Sequence, residues 1–191
     1  MGSPSAALAA ASFLGVELSR SLVTWVGVAV IVLLLGLSAF FSSSEIAMFS
    51  LAKHRLETLV EDGRPSAETV RQLKEDPHRL LVTILVGNNL VNIAITSIVT
   101  VLVAEFVPPG ATVLVATLGA SAIILVFGEI VPKSYGLGHA RTWSLRVARP
   151  LSAVELLLAP LVVVFDAGTR WLALLVGGDQ HIEDQYVDDP E

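Results

Sequence analysis

Apolar and polar residues are segregated into blocks along this chain. Residues 21–44, 80–104 and 106–128 contain no charged residue except Glu105 at the junction of the last two. A helix of about 20 apolar residues crosses a bilayer, so the pattern predicts three transmembrane helices, over about 21–50, 80–104 and 110–131. Between the first two lies a polar block, residues 53–79, with Lys53, Arg55, Arg64, Arg71, Lys74 and Arg79 among its acids. Two short amphipathic helices over about 53–78 fit it, separated at Asp62-Gly63-Arg64-Pro65, because proline is tolerated at a helix start. Pro108-Pro109-Gly110 reads as a tight turn between the second and third spans.

Of residues 139–176, the part from Pro150 onward is apolar on average but interrupted by Glu155, Pro160, Asp166 and Arg170. The longest uncharged stretch between those acids, 156–165, is 10 residues, a length typical of interfacial or re-entrant segments. With Trp143 and Trp171 placed as headgroup anchors, the expectation is juxtamembrane helices along the cytoplasmic interface rather than a fourth span. Orientation follows from the basic residues. Six lie between the first two spans and none in the turn between the second and third, while Lys133, Arg141, Arg146 and Arg149 follow the third. Cytoplasmic loops carry the excess of lysine and arginine. Residues 1–20 are therefore expected outside, and the 53–79 block and everything after Lys133 inside.

Composition narrows the class. Of 191 residues, 53% are apolar and 16% charged, and the mean hydropathy is +0.72, which indicates an all-α, multi-pass membrane protein. The net charge of −6 comes largely from Asp179, Glu183, Asp184, Asp188, Asp189 and Glu191, so 177–191 reads as an acidic, solvated linker. Cysteine is absent, which excludes disulfides, thiolate metal sites and cysteine nucleophiles. The start lacks a basic n-region, which argues against a cleaved signal peptide.

Three polar clusters interrupt the apolar blocks. Glu129 ends the third, and a carboxylate at membrane depth costs a few kcal/mol, so it defaults to a functional hypothesis. Pro132 lacks the N–H that would bond the Gly128 carbonyl, and its ring pushes against that carbonyl. Helix breaks at Gly128 and Pro132 are expected, with the carbonyl set free beside Glu129. On the first helix Ser38, Ser42 and Glu45 share one face. On the second, Asn88 and Asn92 are one turn apart, with Thr96 beyond. Hydroxyl, amide and carboxylate oxygens are hard ligands that suit magnesium, calcium or sodium and not zinc or copper. Small residues and asparagines also serve as packing and interhelical glue; the added cost of an intramembrane glutamate favours a functional site. His54, His78, His139 and His181 all lie outside the spans and read as surface residues. A hydrolase using Ser43 has no histidine in any span to activate it, so no enzyme is expected.

Ser43-Ser44-Glu45-Ile46-Ala47, Gly87-Asn88-Asn89-Leu90-Val91-Asn92 and Gly128-Glu129-Ile130-Val131-Pro132-Lys133 resemble the motifs of the CNNM/CorC magnesium transporters, over about residues 22–176. The resemblance implies a homodimer of three transmembrane helices per subunit with a juxtamembrane belt, in the plasma membrane. It implies magnesium efflux coupled to sodium entry, and an ion site in an inward-facing cavity. In that family cytoplasmic CBS domains that bind ATP follow the membrane domain. Nothing after Val176 resembles them, so the chain reads as an isolated membrane domain, with no nucleic-acid partner. The predicted magnesium ligands are Ser43, Asn88, Asn92 and Glu129, with a main-chain carbonyl from Gly128 or Gly136. The alternative is a non-transporting scaffold or magnesium sensor that regulates partners.

Overall fold

The computed structural model describes residues 20–176, and every regular element among them is helical. The segment expected outside and the acidic linker from 177 lie beyond the described residues. In chain order the helices are α1 (Arg20–Ser50), α2 (Lys53–Glu61), α3 (Ala67–Glu75), α4 (Pro77–Val103), α5 (Pro109–Ile123), a π-helical segment (Ile124–Ile130), α6 (Val131–Gly138) and α7 (Ala140–Val176).

Local sequence sets most of these boundaries. Gly63, at φ +63°, turns the chain between α2 and α3, and Ser66 takes the same left-handed conformation just before α3. Asp76 opens α4 by accepting a hydrogen bond from the Arg79 amide at 2.9 Å, with Pro77 in the first turn, where its missing N–H costs nothing. Pro109 opens α5 in the same way.

α1 is the organising element, packed against α4, the π segment, α6 and α7. The core lies at one end of the bundle. There Met48 of α1 and Leu51 just after it meet Leu56 and Leu59 of α2, Val70 and Leu73 of α3, Leu80 and Ile84 of α4 and Leu151 of α7, all buried. Apolar residues at three-residue spacing on α2 and α3 form one stripe each, so the polar block folds back and caps the bundle with its charged faces outward. Along the other half of α1, Trp25, Val26, Val32 and Leu33 are exposed, as residues facing lipid are.

Two expectations are corrected. Among the described residues four helical stretches, not three, are long and apolar enough to cross a membrane: 21–50, Pro77–Val103, Pro109–Gly138 and Ala140–Val164. The fourth belongs to α7, one continuous helix where separate juxtamembrane helices were expected. Its Pro150 and Pro160 lie inside the helix without ending it, and its Glu155 is answered by Arg79 of α4, with Nε to Oε1 at 2.6 Å. A charge that meets its partner across the bundle does not interrupt a helix. The second correction concerns Gly128 and Pro132. The chain does not break there but continues as helix from Pro109 to Gly138, with Ile124–Ile130 wound as a π-helix. The wider turn accommodates the proline ring within the first turn of α6, and such π segments are frequent at functional sites.

Candidate functional site

Close approach of α1, α4 and the π segment makes the site possible, and glycines make the approach possible. A Cβ on Gly87 would lie 2.6 Å from the Phe41 ring, and one on Gly128 would lie 2.7 Å from Ser38 Oγ. A Cβ on Gly136 would run into the main-chain carbonyl of Ser43. Gly128, Pro132 and Gly136 thus form a buried stripe at one-turn spacing that seats the third spanning helix directly on α1.

The fully buried Ser38 is the hub of the seam. Its Oγ lies 2.8 Å from Asn92 Oδ1 and 3.1 Å from Asn88 Oδ1, so one hydroxyl donor is shared by two amide oxygens. With its oxygen committed to Ser38, Asn92 turns its Nδ2 toward Glu129 Oε1, 3.4 Å away. The result is a polar chain across three helices: Ser38, Asn88 and Asn92, Glu129. Thr96, one turn beyond Asn92, donates to the Asn92 carbonyl at 2.9 Å and stays outside this chain.

Asn88, Asn92, Gly128 and Glu129 are therefore brought together. Ser43 and Gly136 are brought together at a second level. Ser43 lies about 140° round α1 from Ser38 and about 7.5 Å further along it. Its hydroxyl donates to the carbonyls of Ala39 and Phe40, at 2.7 and 3.1 Å, and accepts from Trp143 Nε1 of α7 at 3.0 Å. Trp143 also stands edge-on to Tyr135, which stacks on His139 at 4.4 Å, so aromatic rings brace the joint between α6 and α7. Sequence reasoning placed Ser38 on the correct face of α1 but passed over it as a site residue. It also read Trp143 as a headgroup anchor and Lys133 as one of the basic residues that set orientation. Lys133 Nζ instead lies 3.2 Å from Glu45 Oε2. The signals were present: Ser38, Ser42 and Glu45 share a face, and Lys133 follows Glu129 by one turn.

Three further hydroxyls, those of Ser42, Ser44 and Thr83, are fully buried and have no hydrogen-bond partner among the described residues. Among the described residues no three of His, Cys, Asp and Glu cluster tightly enough to hold a metal ion. The seam's donor set is of another kind, one carboxylate among neutral amide and hydroxyl oxygens. Such a set offers hard ligands at low total charge, which suits an ion that must also be released.

Known proteins place this arrangement. The chain is 35% identical over 162 residues to a UPF0053 protein of Haemophilus influenzae, covering 85% of this chain and 38% of that protein. It is 36% identical over 145 residues to the UPF0053 inner membrane protein YfjD of Escherichia coli, covering 74% of this chain and 33% of that one. A chloroplastic DUF21 domain-containing protein of Arabidopsis thaliana is 37% identical over 132 residues, 69% of this chain and 20% of its own length. The chain thus spans between a fifth and about two fifths of the length of these relatives. The family model for the Cyclin M transmembrane N-terminal domain, CNNM, matches residues 29–191. With that match, the apolar helices and the inner-membrane relative together, this chain is a multi-pass membrane protein and belongs to the CNNM family.

Proposed function

We propose that this membrane domain transports magnesium, moving Mg2+ outward in exchange for Na+ entry, with the seam between α1, α4 and the π segment as its ion site. The observation that carries the reading is the convergence of Asn88 and Asn92 Oδ1 on the single Ser38 hydroxyl, with Glu129 joined on through Asn92. Magnesium takes six oxygens at about 2.0–2.1 Å and gives up water reluctantly, so only oxygens already aimed at one point compete with its hydration shell. Asn88, Asn92 and Glu129 supply side-chain oxygens, and the Gly128 carbonyl is the nearest main-chain candidate. Ser43 and Gly136 form the next level toward the charged end, where a partly hydrated ion enters. One carboxylate against a doubly charged ion leaves net positive charge, which favours release. No covalent chemistry is needed, and the protein acts as a transporter rather than an enzyme.

The working unit is a homodimer paired through its membrane helices. In the full-length protein, cytoplasmic CBS domains follow.

Purified protein in sealed liposomes with an internal magnesium dye tests the reading directly. An imposed sodium gradient should drive magnesium movement, and Glu129→Gln should abolish it while the variant still elutes as a dimer. Magnesium binding without any flux would instead establish the sensor reading. Flux undiminished in Glu129→Gln would place the ion elsewhere.

A further inference from the structure

Lys133 is a cation one helical turn from Glu129, the carboxylate joined to the asparagines of the seam. Side chains four residues apart on a helix are neighbours, and a lysine carries its charge on a flexible four-carbon stem. The nearest obvious partner for its ammonium is therefore Glu129. It goes elsewhere: Nζ lies 3.2 Å from Glu45 Oε2 on α1, with the two side chains 38% and 21% exposed. Glu129 Oε1 is left with the Asn92 amide, at the long distance of 3.4 Å.

The register of α6 against α1 enforces this choice. Gly128 sits on Ser38 and Gly136 on the Ser43 carbonyl, which fixes the depth of α6 on α1, and from there the Lys133 side chain reaches Glu45. Glu45 stands on the same face of α1 as Ser38 and Ser42, at i, i+4 and i+7, so its pair with Lys133 closes the charged end of the same seam. Ser42, between them on that face, carries a buried hydroxyl with no partner.

We propose that Glu45 is a positioning residue for the cation site: it holds the Lys133 ammonium off Glu129 and so keeps the seam's carboxylate open to a divalent ion. Lys133 is in effect a tethered competitor, restrained by Glu45. Movement of α6 along α1 that parts the pair would release it onto Glu129 and close the site. This deepens the magnesium reading above and rests on it.

The test is titration of magnesium by calorimetry into the purified full chain, as wild type, Glu129→Gln, Glu45→Gln, Lys133→Met and the double variant Glu45→Gln/Lys133→Met. Glu45→Gln should weaken binding by about tenfold or more, since neighbouring charges couple at that scale. Lys133→Met should bind at least as tightly as wild type. Removing Lys133 in the Glu45→Gln background should restore affinity to within about threefold of Lys133→Met, which a merely structural role for Glu45 would not produce. A double variant as weak as Glu45→Gln overturns the proposal, and so does a Glu45→Gln that binds like wild type. If Glu45→Gln fails to fold, Lys133→Met decides: binding tenfold weaker than wild type overturns the proposal, because a restrained competitor cannot strengthen binding. Wild type that binds no magnesium sinks the transport reading and this proposal with it. Wild-type binding lost in Glu129→Gln but without rescue sinks this proposal alone.

Discussion

At one end of the α1–α4 pair, Leu22, Val26, Val30, Val101 and Leu102 line an apolar cavity of about 420 Å³. At the other end of the same two helices, Ser38 binds both asparagines, the Phe41 ring lies flush on Gly87, and serine hydroxyls are sealed from solvent. Both ends cross apolar segments, yet only one is closely packed. In lipid there is little hydrophobic drive for one helix to leave acyl chains for another, so oily side chains alone leave gaps. Small residues and polar pairs draw backbones together, and here the Ser38–asparagine pairs and the close-packed Gly87, Gly128 and Gly136 lie toward the half of the bundle capped by α2 and α3. Dense packing and candidate chemistry therefore coincide: the glycines that permit the approach are those that bring Asn88 and Asn92 to one hydroxyl, with Glu129 joined on through Asn92.

One substitution made at each end breaks that comparison most sharply. Gly136→Ala drives a methyl into the Ser43 carbonyl, which is backbone and cannot rotate away, and should cost about 3 kcal/mol, the upper part of the usual overpacking range. Gly27→Ala, in the loose half, meets only the Leu102 methyl groups at 3.0–3.1 Å. Those rotate, so the variant should be neutral or gain up to about 1 kcal/mol from helix propensity. Thermal unfolding of both in detergent checks the contrast, and equal losses would erase it.

Next in size is Ser38→Ala. It leaves two amide oxygens without their shared donor and should cost about 2 kcal/mol, within the range for orphaned buried acceptors. Magnesium affinity should fall as well, because the asparagines lose their common aim. The same measurements on Ser43→Ala, which orphans one donor, Trp143 Nε1, where Ser38→Ala orphans two acceptors, should show the smaller loss of stability.

Thr83→Val should move stability the other way. The Thr83 hydroxyl is buried without a partner, so replacing it with a methyl of similar shape should stabilise by about 1 kcal/mol. A loss instead would reveal a hidden partner for that hydroxyl.

The smallest effect concerns the cap. Burial lowers the pKa of Lys74 from its ordinary 10.5, while its Nζ donates to the Leu51 carbonyl at 2.5 Å. Between the lowered value and 10.5 the unfolded chain holds more protons than the folded one, so stability rises with pH through that window. Lys74→Met should flatten this rise without touching the seam, as melting temperatures across alkaline pH would show.

Much of this architecture was legible in the sequence. The uncharged blocks marked α1, α4 and the third spanning helix, and the turn at Asp62-Gly63-Arg64-Pro65 separates α2 from α3 as its residues suggested. Asn88, Asn92 and Glu129 stood out because amides and a carboxylate at membrane depth demand partners. The fourth apolar helix was harder to see. Glu155 reads as an interruption until Arg79, 76 positions earlier in the chain, arrives beside it. The helix break expected at Pro132 failed for a local reason: a π turn absorbs the ring without ending the helix.

What the sequence determined by itself was composition along one axis: which stretches prefer lipid, which faces of each helix carry oxygen, and that Glu129 lies among apolar neighbours. Those properties follow from residue chemistry and the 3.6-residue period, which need no partner. What only the tertiary structure decided was rotation and depth. Whether Ser38 or Ser43 meets the asparagines depends on how α1 is turned about its axis, and five positions change that direction by about 140°. The Phe41–Gly87 and Ser43–Gly136 contacts fix that angle. The Ser38–Gly128 and Ser43–Gly136 contacts set the depth of α6 on α1, from which Lys133 pairs with Glu45 rather than with Glu129. Periodicity is invariant to rotation and sliding of a whole helix; close packing of backbone on backbone is not.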